Sequence, residues 1–390
     1  VNQHISVLHV LKRSRERLDF AECLKSCKFA DKPTIIHVME KPITIKDIAK
    51  KLGLSTSTVS RALSDSWEIK KETKELVIKT AAELNYHPNT QAKGLVTKKS
   101  YTIGIVVPEL VTSFFPMIIS GIQKILMHEG YQILITQSNE SAETERTNLS
   151  LLEQHMVDGI IISTTSDSFV NSDMYQSLQD NGIPLVFFNR VPSNIDTTKI
   201  IIDDKKMAYS AVAHLIGEGY RKIFHFAGPE KLDITKDRMN GYIEAMQDAN
   251  LPISDSTIIH SGIFIRDGEQ TMEDILSGNG EKPDAIFAFN DPVAIGAMKA
   301  LKRHGLRIPY DVAFVGFSES DMATVVEPYL TSIEQPRVEI GEIAASCMLD
   351  KIRTNRLLNK KIVLDAKLNI RESSHKKHNY DKDTILTLEG

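Results

Sequence analysis

Five of the six side chains from Thr56 to Arg61 end in a hydroxyl or a guanidinium: Thr56, Ser57, Thr58, Ser60 and Arg61. Such groups are suited to nucleic acid, because hydroxyls reach base edges and phosphate oxygens while a guanidinium grips guanine bidentately or leans on a phosphate. Bond-breaking chemistry has no comparable signature. The chain lacks G-x-x-x-x-G-K-[ST], H-E-x-x-H and G-x-S-x-G, and its 12 histidines are scattered. Cys23, Cys27 and Cys347 form neither a disulfide framework nor a metal set. A binding protein without cofactor is therefore expected, not an enzyme.

Elements that could hold those side chains are legible on either side. Ile45, Ile48, Ala49 and Leu52 recur at i, i+3, i+4 and i+7, one apolar helix face. Thr44 with Asp47 reads as its capping pair, and Gly53 supplies the left-handed residue that ends it. Ser55 then caps a second short helix, in which Val59, Ala62 and Leu63 face inward and the polar set faces out. Thr73 to Leu84 gives a third amphipathic helix, with Leu76, Val77, Thr80, Ala81 and Leu84 expected in a shared core. Two helices joined by a turn with Gly form a helix-turn-helix, which offers the N-terminus of its second helix to the major groove. Thr56 and Ser57 would then meet bases, with Arg61 at the far end of the same face.

Beyond Ser100 the pattern changes. Apolar runs (Ile103 to Val107, Ile133 to Thr136, Gly159 to Ser163, Leu185 to Phe188) alternate with helical periodicity from about Phe115 to Glu129 and onward to His155. The alternation resumes at Ile200 to Ile202, Ile223 to Ala227, Thr257 to His260, Ala285 to Phe289 and Val312 to Phe317, with a last strand over Ile362 to Arg371. About ten strands exceed one open parallel sheet of this kind, so two doubly wound subdomains with a cleft between them are expected.

Charge supports the division. The 390 residues carry a net charge of −4, yet Lys41 to Lys99 holds 12 Lys and Arg against 6 Asp and Glu. A small basic module joined to a larger acidic one fits a protein that meets phosphate with one end. No apolar run approaches the roughly 18 residues of a membrane span and no signal pattern opens the chain, so a cytoplasmic protein is expected. Residues 1–39 stand apart: Val1 sits where a start methionine is usual and Met39 immediately precedes the first patterned segment, so the working protein is expected to begin near Met39. A short helical extension around Leu11 to Cys27 is the alternative.

Four linked motifs then carry a resemblance. T-x-x-D-I-A from Thr44, G-x-S-x-x-T-V-S-R-x-L from Gly53, L-x-Y-x-P-N from Leu84 and A-x-x-L from Ala92 occur in order, and together they resemble the headpiece of the lactose-repressor/galactose-repressor (LacI/GalR) family. Further matching stretches, among them Arg238-Met239-Asn240-Gly241-Tyr242 and Asn290-Asp291-Pro292, extend the likeness over nearly all of residues 40 to 374. The resemblance implies a helix-turn-helix headpiece over 40–87 and a hinge helix and linker over 88–100. It also implies a periplasmic-binding-protein-like effector and dimerisation domain over 101–374, with a polar tail over 375–390.

Carried over by position, Thr56, Ser57 and Arg61 would read bases, while Thr58 and Ser60 would touch the DNA backbone. Thr44, Ser55, Asn89 and Ala92 would complete the DNA-facing set, with Lys93 and Lys98 on phosphates and Leu95 as a minor-groove wedge. Arg238 and Asp291 match positions that grip an effector, expected to be a carbohydrate. Ser113, Phe114, Arg190 and Phe264 are further cleft candidates. Chain crossings between the subdomains are expected near Val191 to Ile200, Thr324 to Glu334 and Leu349 to Arg356.

Two departures from the family pattern stand out. Ser318 follows Val315-Gly316-Phe317 where an Asp is common, and Asn189 precedes Arg190 where an Asp often stands. The tail has no leucine heptad, so the expected assembly is a homodimeric repressor on pseudo-palindromic operator DNA, without membrane contact.

Overall fold

The computed structural model describes residues 43–86, 99–354 and 359–375, and the chain divides into two compact units after residue 88. Residues 1–42, the Pro88 to Val96 hinge with Asn89, Ala92, Lys93 and Leu95, Lys98, and the tail beyond 375 lie outside the described residues.

In the first unit, α1 (Ile45–Leu52) starts where the Thr44 N–H and hydroxyl both donate to Asp47 Oδ2, at 2.8 and 2.6 Å. It stops at Gly53, whose φ of 63° is the left-handed conformation that a side chain would resist. Helix α2 (Thr56–Leu63) is capped by Ser55 Oγ, which accepts from Thr58 N–H at 3.1 Å. Helix α3 (Lys71–Glu83) closes the bundle. Each helix contributes one fully buried residue: Ile48, Val59 and Val77. Leu76, expected in this core, is instead 50% exposed. The inner face of α3 is set by Val77, Thr80 and Ala81, and Leu76 precedes Val77 by one position, about 100° around the helix.

The second unit contains twelve described strands: β1 (Thr102–Val107), β2 (Gln132–Gln137), β3 (Gly159–Ile162), β4 (Leu185–Phe188), β5 (Thr198–Ile202), β6 (Ile223–Ala227), β7 (Ile258–His260), β8 (Ala285–Ala288), β9 (Ala313–Phe317), β10 (Thr331–Glu334), β11 (Lys361–Leu364) and β12 (Lys367–Asn369). Between them run α4 (Phe114–His128), α5 (Ala142–Gln154), α6 (Ser172–Asp180), α7 (Asp204–Gly217), α8 (Asp233–Asp248), α9 (Ile265–Ser277), α10 (Asp291–Arg303) and α11 (Arg337–Thr354).

Two six-stranded sheets result, ordered β11-β5-β4-β3-β1-β2 and β12-β10-β9-β8-β6-β7. Every neighbouring pair is parallel except β10 with β12. Strands β3, β4 and β8 are buried along their whole length, as sheets covered by helices on both faces require.

The chain crosses between the lobes three times, as expected, but later than expected: between β5 and α7, between β10 and α11, and between β11 and β12. Each sheet takes its strand before the chain leaves, so β5 and β10 complete their ladders first. For the same reason the single strand expected over Ile362 to Arg371 is split, with β11 beside β5 in one lobe and β12 beside β10 in the other.

Glycines let covering helices touch backbone to backbone. A Cβ on Gly121 of α4 would lie 2.2 Å from the Val338 carbonyl oxygen, and one on Gly341 of α11 would lie 2.0 Å from that of Ile118. Because neither obstruction is a flexible side chain, Gly341→Ala should lower unfolding free energy by about 1–3 kcal/mol by forcing α11 off α4. Urea denaturation checks this; an unchanged midpoint would show that the helices have slack.

Candidate DNA-reading helix and ligand cleft

On α2 the side chains of Thr56, Ser57, Ser60 and Arg61 are exposed, while Val59 and Ala62 anchor the opposite face. Thr58 is half-buried, and its hydroxyl lies 2.8 Å from Ser55 Oγ, which also lies 2.7 Å from Ser57 Oγ. Ser55 and Thr44 are exposed but spend their hydroxyls on helix caps, so the structure gives each a local role in fixing where a helix begins.

One neighbour was not anticipated from sequence. Arg61 Nη1 is 3.0 Å from Glu68 Oε2, with both side chains about half exposed. The turn after α2 makes this meeting possible: the Ser66 N–H returns to the Arg61 carbonyl at 3.0 Å and turns the chain back alongside. Beside Glu68 stands Trp67, the chain's single tryptophan, 89% exposed.

In the second unit the C-terminal ends of both sheets face an open cleft. Its lining joins the aromatic side chains of Phe114, Phe115, Phe264 and Phe289 to the polar ones of Glu109, Thr112, Asn189, Arg190, Arg238, Asn290, Ser318 and Ser320. Phe114, Arg190, Arg238 and Phe264 were expected here. Ser113 was expected too, but it is not part of the lining; its Oγ accepts from Arg337 Nη1 at 3.4 Å, and its neighbours Thr112 and Phe114 face the cavity instead.

Arg238, on the second turn of α8, is only 2% exposed. Its Nε and Nη2 reach Asp204 Oδ1 at 2.8 and 2.7 Å, and Nη1 donates to the Phe289 carbonyl at 2.5 Å. The guanidinium carbon lies 3.6 Å from the Phe317 ring centroid and 4.7 Å from that of Phe289. Burial pushes Asp204 up and Arg238 down, and their mutual attraction opposes both shifts. Three of the five N–H groups of the fork are thereby engaged by protein acceptors.

Asp291 requires a correction. Expected to grip the ligand, it is fully buried and absent from the lining, although Asn290 and Pro292 on either side of it face the cavity. Its carboxyl accepts from the Ser332 hydroxyl and the Ser320 N–H, both at 2.5 Å, and so ties the start of α10 to β10 and to the loop after β9. The reason is position: as the first residue of α10 it points back toward the sheet, whereas the capping residue Asn290 points out.

Arg190 is likewise engaged, by Glu140 at 2.7 Å, with Phe115 5.9 Å beneath it. The two departures from the family pattern prove to be connected. Asn189 Nδ2 donates to Gln335 Oε1 at 3.5 Å, and Gln335 Nε2 donates to Ser318 Oγ at 3.2 Å, so uncharged groups link the first lobe to the second through a buried residue of the second crossing. Ser318 and Glu319 adopt left-handed φ values of 102° and 51°, a costly conformation placed at the cleft edge.

A polar helix displayed on a three-helix core, followed by two doubly wound lobes around an aromatic and polar cleft, is the build of a DNA-binding regulator governed by a small molecule. Residues 44–89 match the profile of bacterial regulatory proteins of the lacI family, and residues 100–372 that of periplasmic binding proteins and the sugar binding domain of the LacI family. The chain belongs to the LacI family; it is a ligand-controlled DNA-binding transcription regulator, not an enzyme.

The HTH-type transcriptional repressor CytR of Escherichia coli K12 is 30% identical over 335 residues, covering 86% of this chain and 97% of CytR. The lac repressor dimer bound to operator and the anti-inducer ONPF superposes with a TM-score of 0.77 at 25% identity, over 86% of this chain and all of that one. A complex of the regulator CelR with cellobiose gives 0.64 at 28% identity, over 85% of this chain and 99% of the other. None of the described helices is long and apolar enough to cross a membrane.

Two outcomes follow from these contacts. Burial raises the Asp291 carboxyl from 3.8 to about 7. A group raised on folding contributes stability that is full below its unfolded value and lost as pH rises through about 7. Asp291→Asn should therefore flatten the decline in thermal stability between mildly acidic and neutral pH, and an unchanged slope would show that another group sets it. At the headpiece, Glu68→Gln should tighten binding to any duplex by about two- to fivefold by releasing Arg61, read as Trp67 fluorescence during DNA titration. The gain should vanish in an Arg61→Ala background.

Proposed function

We propose that the protein is a cytoplasmic repressor that binds pseudo-palindromic operator DNA as a homodimer and changes its grip when a sugar fills the cleft. The observation that carries the DNA half is the exposed set Thr56, Ser57, Ser60 and Arg61 on a helix whose start is fixed by the Ser55 cap. Thr56 and Ser57 at its N-terminal end meet base edges, Arg61 reads guanine or holds a phosphate, and Thr58 and Ser60 touch the backbone. The segment 88–96 orders on DNA in the dimer, with Leu95 wedged at the operator centre and Lys93 and Lys98 on phosphates. Support for that reading comes from the sequence: an isolated helix this short and containing Gly94 is marginal, so partner and DNA contacts are needed to order it.

The sugar half is supported by the cleft itself. Phenyl rings such as Phe114 and Phe264 stack on the apolar face of a pyranose or furanose, and Arg190, Arg238, Asn189 and Asn290 offer polar atoms at its rim. Solved relatives described with cellobiose and with ribose accord with this. The ligand acts only through different affinities for the open and closed cleft, so closing the lobes is the switch.

The test is genomic footprinting of the purified protein with and without a sugar panel. Protection of a two-fold symmetric site, altered by one sugar, is expected. Arg61→Ala should cost about 1–3 kcal/mol on that site and relax its sequence preference, while Lys98→Ala should weaken all DNA alike. Equal protection of every sequence, with and without sugars, would overturn the reading.

A further inference from the structure

The headpiece leaves one large side chain without a place in its own core. Trp67 is 89% exposed, more than any other large apolar side chain among the described residues, and it is the chain's single tryptophan. An indole combines a broad apolar face with one N–H donor and no acceptor. Its complement is a surface that is part apolar and rich in acceptor oxygens.

Trp67 is displayed by a turn that is pinned on both sides. After α2 the Ser66 N–H donates to the Arg61 carbonyl at 3.0 Å, with Asp65 in the left-handed region at a φ of 53°. Lys74 of α3 donates to the Asp65 carboxylate at 2.7 Å and to the Asp65 carbonyl at 3.2 Å. On the other side the Ile69 N–H donates to the Ser66 carbonyl at 3.2 Å, and the Ile69 side chain packs against the three-helix core. The backbone that carries the indole is therefore fixed relative to α2, and little of its freedom is left to lose on binding.

Position and charge select the occupant. Thr56 and Ser57 open α2, which has eight residues, so the turn begins about 12 Å beyond the end that meets base edges. That is about the width of the major groove, which places the turn beside a strand rather than over the bases. Both carboxylates of the turn are matched within the unit, Glu68 by Arg61 at 3.0 Å and Asp65 by Lys74 at 2.7 Å, and Lys70 and Lys71 just beyond are exposed. A DNA strand offers what the indole lacks: apolar deoxyribose edges beside phosphate oxygens.

We propose that Trp67 is a DNA contact outside the reading helix, with its ring against a deoxyribose edge and its N–H donating to a phosphate oxygen. This rests on the reading of α2 as the base-facing helix and adds an uncharged anchor, indifferent to sequence, at its far end.

The full-length protein and a mixed-sequence duplex test it, so no operator need be known. Because Trp67 is the single tryptophan, acrylamide quenching of intrinsic fluorescence reports on this side chain alone. Quenching should be strong in the free protein and should fall when duplex is bound. Trp67→Ala should weaken binding by about five- to thirtyfold, and Trp67→Phe by less, since the ring stays and only the N–H is lost. Neither variant removes a cation, so the slope of log Kd against log salt concentration should hold, whereas a headpiece that had come apart would flatten it. Equal affinity of Trp67→Ala and the parent protein, or quenching unchanged by duplex, would overturn the inference and leave α2 its role. Shielding that grows with protein concentration and needs no DNA would assign the indole to a second copy of the chain and overturn it as well. If the parent protein binds no duplex, the reading of α2 itself falls, and this inference with it.

Discussion

The buried pair Arg238–Asp204 is the contact on which the ligand-binding unit turns. An ion pair taken out of water survives only when geometry and extra hydrogen bonds offset desolvation. Here a shared carboxylate oxygen, a backbone carbonyl and two phenyl rings supply that offset. Asp204 opens α7 immediately after the first crossing, and Arg238 sits on α8, so the pair fixes the chain as it enters the second lobe. Phe289 and Phe317, at the ends of β8 and β9, are held by the same guanidinium. Loss of Asp204 would leave an unpaired buried cation against the rings at those strand ends.

Around that anchor the cleft uses charge sparingly. Asp291 is sequestered beneath the floor, Arg190 is matched by Glu140, and the link through Gln335 is built from amides and a hydroxyl. A site of this kind discriminates by shape and by hydrogen-bond direction, with little long-range attraction for ions. The headpiece works by the opposite means. It carries a surplus of lysine and arginine, which favours any phosphate backbone, and displays a few short polar side chains on α2.

Much of this could be read from the residues alone. The three short helices were legible because Thr44, Gly53 and Ser55 are start and stop signals with local causes, and local causes do not depend on the rest of the fold. The alternation of strands and helices was legible for the same reason. What escaped was long-range. Glu68 beside Arg61, Asp204 beneath Arg238 and Gln335 between Asn189 and Ser318 are partners brought together by turns and crossings, which carry no periodic trace. Leu76 was misplaced by a single step around a helix, and Asp291 because a matching position says which residue is present but not which way it faces.

The last two strands carry a consequence for how such a molecule is made. Because β11 completes one sheet and β12 the other, both lobes borrow an edge from the final tenth or so of the described chain. A nascent polypeptide emerging from the ribosome therefore cannot finish either lobe until nearly all of it has been synthesised, and the unfinished edges of β5 and β10 stay open until then. Neither lobe is a candidate for separate expression, and a premature stop anywhere before Lys361 leaves two incomplete sheets rather than one intact lobe.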